Sequence, residues 1–173
     1  YFKGKPKRRK AMYRRGLIGE RKWIEERILC DEIGHWELDF IVSPTKNRDG
    51  TNGSKAVLLV GVDTLSKRTL IELLPNRTKQ ELSRALKRMF DGVAVKTILT
   101  DNDIAFMYWK YFEQLLGAPF YFTHPYHSWE KGLVENTNKW IRHFIPKKTD
   151  LSTVTKETIV TVLTYLNERP RQV

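Results

Sequence analysis

The sequence predicts an α/β domain in which a mixed five-stranded sheet is flanked by helices. Three observations carry that expectation. His35–Val42 reads HWELDFIV, an alternation rich in strand formers. Ala56–Asp63 is a near-continuous apolar run, the mark of a central strand covered on both faces. Two shorter runs, Val95–Thr100 and Pro119–Phe122, each follow a stretch of helical periodicity, which puts parallel strands behind crossover helices.

Taken in order, residues 1–20 have no apolar period and carry Gly4, Pro6, Gly16 and Gly19, so they read as a linker or arm. A short amphipathic helix is expected between Lys22 and Leu29, and the division is a basic arm over 1–33 and a folded core over 34–173. Ser43–Lys55 holds Pro44, Asp49-Gly50 and Asn52-Gly53, the turn chemistry between two strands. Thr69–Leu74 makes a third strand, ended by Pro75. Thr78 is placed to cap a helix, with Glu81 three residues on to complete a capping box. Leu82, Leu86, Met89 and Phe90 then share one helical face. Further helices are expected over Asp103–Leu116, closed by Gly117, over Lys131–Phe144 and over Thr155–Asn167. The order β-β-β-α-β-α-β-α-α excludes a bundle and a sandwich.

Among the 173 residues, Lys and Arg number 31 against 20 Asp and Glu, a formal charge of +11. Eight of the basic residues, Arg8 and Arg9 among them, fall in residues 1–15 with no acid between them. A polyanion suits such a stretch, because counterions released at each phosphate contact favour binding; a solvated linker is the ordinary alternative. Cys30 is the sole cysteine, which excludes an internal disulfide and a Cys-rich zinc site. No apolar run reaches membrane-spanning length, and no apolar segment follows the first charges as in a secretory leader. The expectation is a cytoplasmic protein with no membrane partner.

Three acids stand out by position. Asp39 lies inside the first strand, Asp101 follows the short strand ending at Thr100, and Glu135 falls early in a helix. Ligands gather at the carboxyl ends of parallel strands, where Asp101 stands. An aspartate within an apolar strand needs a cation or a hydrogen-bonding partner. Hard divalent ions choose such oxygen ligands, and a pair of them holds the attacking and leaving oxygens of phosphoryl transfer. Each acid also has an ordinary reading: Asp39 as the partner of an arginine, Glu135 as the complement of a helix dipole.

The local motifs are more specific. GHWELDFIV (34–42), LTDND (99–103), HPYHSWEKG (124–132) and ENTNKWIR (135–142) occur in the order seen in DDE transposases and retroviral integrases. Thirty-three residues separate Asp101 from Glu135, Arg142 stands seven after Glu135, and NERPR stands near the end at 167–171. Together these resemble most nearly the bacterial insertion-sequence-thirty family of transposases, over Gly34 to Arg171. The resemblance implies an RNase H-like core in which Asp39, Asp101 and Glu135 hold two Mg²⁺ or Mn²⁺ ions. It implies DNA cleavage and strand transfer at transposon ends into target DNA. It also implies a homodimer or higher oligomer, because two ends must be joined, in a bacterial cytoplasm in association with the nucleoid.

Candidate DNA contacts are Lys139 and Arg142 on the last motif helix, Lys131, Trp129 and Tyr126 in the loop before it, and Arg8 and Arg9 in the arm. Aromatic rings in a basic loop suit unpaired bases. His124 and His127 are read as loop histidines bonded to backbone, the alternative being DNA contact or proton transfer. Glu37 is read as a salt-bridge partner, the alternative being a fourth acid near the site. Asp63 is read as a turn cap, the alternative being an approach to the acid cluster. Three positions depart from the family pattern: Asp103 and Leu38 stand where it has Gly, and Ala105 where it has Glu. These departures keep open a non-catalytic DNA-binding or regulatory protein on a retired transposase core, and a nuclease of the same fold.

Overall fold

The computed structural model describes residues 20–47, 49–125 and 127–169. The strands are β1 (Lys22–Trp23), β2 (His35–Val42), β3 (Val57–Asp63), β4 (Thr69–Leu74), β5 (Thr97–Thr100) and β6 (Phe120–Phe122). The helices are α1 (Lys79–Met89), α2 (Trp109–Leu116), α3 (Gly132–Phe144) and α4 (Lys156–Glu168). All six strands form one sheet in the order β1-β6-β5-β2-β3-β4. The β2-β3-β4 meander is antiparallel, while β5, β6 and β1 add in parallel to the other edge of β2.

The period of two in β2 sorts its side chains between two layers. Trp36 and Leu38 enter the apolar cluster that holds Leu82 and Leu86 of α1 and Phe112 of α2. Ile41 enters the opposite cluster, with Val134 and Ile141 of α3 and Val162 and Leu166 of α4. Every residue of β3 is buried, as its continuous apolar run requires. Among the described residues no helix is long and apolar enough to cross a membrane.

The sheet has six strands where five are expected. The sixth is β1, two residues paired with β6, followed by a 3-10 turn over Ile24–Glu26 in place of the expected helix. From residue 20 on, the segment packs against the domain. Arg21 and Arg27 are buried, and Arg27 donates to the Thr97 hydroxyl at 2.9 Å and the Trp36 carbonyl at 3.2 Å. Two residues carry too little pattern to announce a strand; pairing along β6 creates it.

The other elements lie close to their expected places. Thr78 caps α1 through the Glu81 N–H, but the capping box does not close: the Glu81 carboxylate takes Arg84 at 2.8 Å, and the Thr78 N–H goes to Asn76. Gly117 ends α2 in the left-handed conformation (φ 66°) that its position demands. The helices expected to begin at Asp103 and Lys131 open instead with 3-10 turns, over Ile104–Tyr108 and Ser128–Lys131. From the terminal motif, Asn167 clamps the start of β4 by taking the Thr69 N–H at 2.8 Å and giving to its carbonyl at 3.0 Å.

Candidate active site

The parallel pairing of β2 with β5 assembles the first half of the site. Glu37 lies opposite Leu99, and that register continued for two residues sets Asp39 beside Asp101 where β5 ends. From the other face, α3 lies across β2 and β3 and delivers Glu135 from its first turn. Asp39, Asp101 and Glu135 line one open pocket of about 430 Å³, together with Asn102, Asp103 and Lys131.

Lys131, expected to face DNA, is buried in that pocket. Its ammonium lies 2.8 Å from Asp39 Oδ1, 3.3 Å from Asp101 Oδ2 and 3.5 Å from the Leu38 carbonyl, and the side chain is 5% exposed. The second oxygen of Asp39 accepts from Asn138 Nδ2 at 2.7 Å. Among the described residues, no three His, Cys, Asp or Glu side chains are gathered closely enough to hold a metal ion. The chemistry of the donors nonetheless suits a hard cation: four carboxylates, of Asp39, Asp101, Asp103 and Glu135, line the pocket, and Asn138 Oδ1, on the amide bonded to Asp39, is buried with no hydrogen-bond partner. The positive charge now among them is the lysine's own.

Glu37 ties the two halves together. It is buried, points to the same face of β2 as Asp39, and accepts the Val134 N–H at 3.0 Å, next to Glu135. Burial pushes the Glu37 carboxyl above its ordinary range, opposed by the Val134 N–H and by the charges of Arg27 and Lys131. Its role is a tie to the helix start, not the expected salt bridge. Asn138 does not stand out in the sequence as a site residue, and Glu37 does so only as a further acid on the Asp39 face of β2, placed second to a salt-bridge role. A signal for Asn138 is present, since it stands three residues after Glu135 on one helical face. For Glu37 there is only the strand alternation.

The departures are absorbed locally. Asp103 has φ −59°, so its backbone needs no glycine; it caps the next turn through the Ala105 N–H at 2.8 Å and pairs with Arg77. Its own N–H donates to Asp101 Oδ1 at 3.0 Å. Leu38 is fully buried opposite Gly61, where an added Cβ would meet Leu38 Cδ2 at 3.0 Å. On the β1 side, Arg21 donates to Asn102 Oδ1 at 2.5 Å and lies over the Phe122 ring. Burial lowers the Arg21 pKa, and the Asp101 charge pulls it back.

Of the expected DNA contacts, Trp129 is 70% exposed and packs edge-on to His127, which lines the pocket. His127 Nδ1 meets the Pro125 carbonyl at 2.9 Å, while His124 lies against Glu130 at 3.1 Å and stacks on Trp23. Lys139 is exposed on α3. Arg142 reaches the carbonyls of Val42 and Pro146, each at 3.4 Å, at the far end of β2. Tyr126, Arg8 and Arg9 lie outside the described residues. Asp63 is a turn cap as expected, accepting the Gly34 N–H at 2.8 Å and both the N–H and hydroxyl of Ser66 at 2.7 Å.

Comparison with known proteins gives the fold a context. The integrase core domain model matches residues 31–128, more than half of the chain. The transposase for insertion sequence element IS4351 of Bacteroides fragilis is 35% identical over 166 residues, covering 91% of this chain and 48% of that protein. The transposase InsI for insertion sequence element IS30A of Escherichia coli is 32% identical over 143 residues, covering 81% and 35%. The chain thus spans about half or less of these curated relatives. Among solved structures, a chain of the simian T-cell lymphotropic virus intasome in complex with PP2A regulatory subunit B56 gamma superposes with TM-score 0.66 at 20% identity, covering 88% of this chain and 54% of that one. The catalytic core domain of BIV integrase gives 0.58 at 16%, covering 80% and 86%. These two likenesses identify the fold as RNase H-like.

Proposed function

The chain belongs to the integrase core domain family, and from that premise we propose that it is the catalytic core of an insertion-sequence transposase, cutting DNA at transposon ends and joining it to target DNA. The observation that supports this reading most directly is the meeting of Asp39, Asp101 and Glu135 on one open pocket from a strand, a strand end and a helix. In this reading those three carboxylates hold two Mg²⁺ or Mn²⁺ ions. Bound there, the metal would supply charge neutralisation at the phosphate and an activated oxygen nucleophile.

The chain's own residues supply the framework. Asp39 and Asp101 are fixed by strand register, and Glu37 and Asn138 hold α3 against β2 so that Glu135 stays on the pocket. Lys139, Arg142 and Trp129 are the outer DNA contacts, to phosphates and to an unpaired base respectively. Tyr126, Arg8 and Arg9 extend that surface, with the basic residues near the start adding sequence-independent affinity. The active form is a dimer or larger assembly in the bacterial cytoplasm, associated with the nucleoid, with 1–33 as the connecting arm and 34–173 as the core.

A second reading, a DNA-binding regulator without chemistry, is favoured by one observation: the Lys131 ammonium already sits between Asp39 and Asp101 and offsets one of their two charges. A strand-transfer assay with labelled transposon ends in Mg²⁺ or Mn²⁺ separates the readings. Joined products support the transposase, nicks alone a nuclease, and binding with neither product the regulator.

A further inference from the structure

We propose that Lys131 is the resident cation of the carboxylate pocket. In the metal-free chain its ammonium holds Asp39 and Asp101 together, and it has to leave before their oxygens can ligate a divalent ion. The inference rests on the reading of the pocket as a metal-dependent site and goes beyond it by assigning a competitor within the chain.

The geometry carries it. Three oxygens, two from β2 and one from the residue after β5, surround one ammonium: Asp39 Oδ1 at 2.8 Å, the Leu38 carbonyl at 3.5 Å and Asp101 Oδ2 at 3.3 Å. Two carboxylates set side by side by strand register repel each other, and an ammonium 5% exposed is costly without partners; each problem solves the other. A divalent ion seeks the same oxygens. Asp101, 42% exposed, leaves that side of the arrangement open to solvent. Lys131 closes a 3-10 turn just before Gly132, and its four-carbon stem can swing out without moving α3. Lys131 is thus a positioning residue that acts through Asp39 and Asp101.

The sign of one measurement separates this from a merely structural lysine. Mn²⁺ is titrated calorimetrically into the parent chain, Lys131→Met, Lys131→Arg, Asp39→Asn and Asp101→Asn, all without DNA. Removing a competitor tightens Mn²⁺ binding, whereas removing a prop loosens the site and weakens it. Lys131→Met is expected to bind Mn²⁺ at least about fivefold more tightly than the parent, the lower end of common coupling between sites. Lys131→Arg keeps the charge and binds as weakly as the parent. In EDTA, Lys131→Met melts below the parent, and its Tm rises more on adding Mn²⁺. If Lys131→Met does not fold, Lys131→Gln takes its place with the same expectation. Equal or weaker Mn²⁺ binding by the neutral variant overturns the proposal. Should both aspartate variants bind Mn²⁺ like the parent, the metal-site reading itself falls. Should they lose Mn²⁺ while the neutral lysine variant matches the parent, only the lysine's role falls.

Discussion

Glu37 accepts the backbone N–H of Val134 at 3.0 Å, so the strand residue two before Asp39 holds the helix residue one before Glu135. One side chain therefore couples β2, which carries Asp39, to α3, which carries Glu135. Glu37→Ala leaves the Val134 N–H buried without a partner and is expected to lower stability by about 1–3 kcal/mol and to slow DNA cleavage. Glu37→Gln keeps an oxygen acceptor and recovers most of both. Urea denaturation alongside cleavage rates checks the pair; an alanine variant equal to the parent in both would remove the tie.

Leu38 and Gly61 make a second coupled pair. A Cβ at position 61 would stand 3.0 Å from Leu38 Cδ2, 3.4 Å from Met89 Sδ and 3.6 Å from Trp36 Cε3. Gly61→Ala alone is expected to cost about 1–3 kcal/mol, and Leu38→Ala alone about 2–5 kcal/mol. The double variant should cost less than the sum, since the smaller side chain makes room for the added methyl. A double-mutant cycle by denaturation reads the coupling directly.

Asp150 gives the fold an acid-sensitive tie. Hydrogen bonds from Ser54 first, then from the N–H and hydroxyl of Ser152, hold its carboxyl well below the usual carboxylate range. Because the folded value is depressed, the stabilisation is present above the unfolded pKa of about 3.9 and is lost as pH falls toward the folded value. The Tm gap between the parent and Asp150→Ala should be widest near neutral pH and shrink on acidification below that range. A gap constant with pH would mean that the carboxylate charge contributes nothing there.

Residues 1–15 hold eight basic side chains and no acid. Deleting them is expected to weaken DNA binding and flatten its dependence on salt, by up to about 0.9 in log–log slope for each phosphate no longer neutralised. Fluorescence anisotropy across a salt series measures this, and an unchanged slope would make the segment a tether.

What could be read from the chain follows physical range. The alternation of His35–Val42 and the apolar run of β3 encode their own burial, so these strands stand where expected. Asp39, Asp101 and Glu135 could be picked out because the short motifs around them and the 33 residues between Asp101 and Glu135 resemble the family pattern, whereas position alone leaves each acid an ordinary reading. Lys131 could not be: the sequence shows its charge, but its burial on Asp39 and Asp101 depends on how the turn before α3 packs on β2. Glu37 is the same case, since its partner Val134 is brought to it only by the tertiary fold. β1 is shorter still than any pattern, and the pairing that makes it is with residues near 121.

That Asp39, Asp101 and Glu135 act together on DNA is tested most directly by one comparison. Parent, Asp39→Asn, Asp101→Asn and Glu135→Gln are assayed side by side for cleavage and joining of labelled ends in Mg²⁺ or Mn²⁺, each first shown to be folded by its Tm. Every single substitution, which removes a ligand charge while barely changing volume, is expected to lower the rate by more than about 100-fold. Folded variants that cut and join as fast as the parent would contradict a joint role for the three acids.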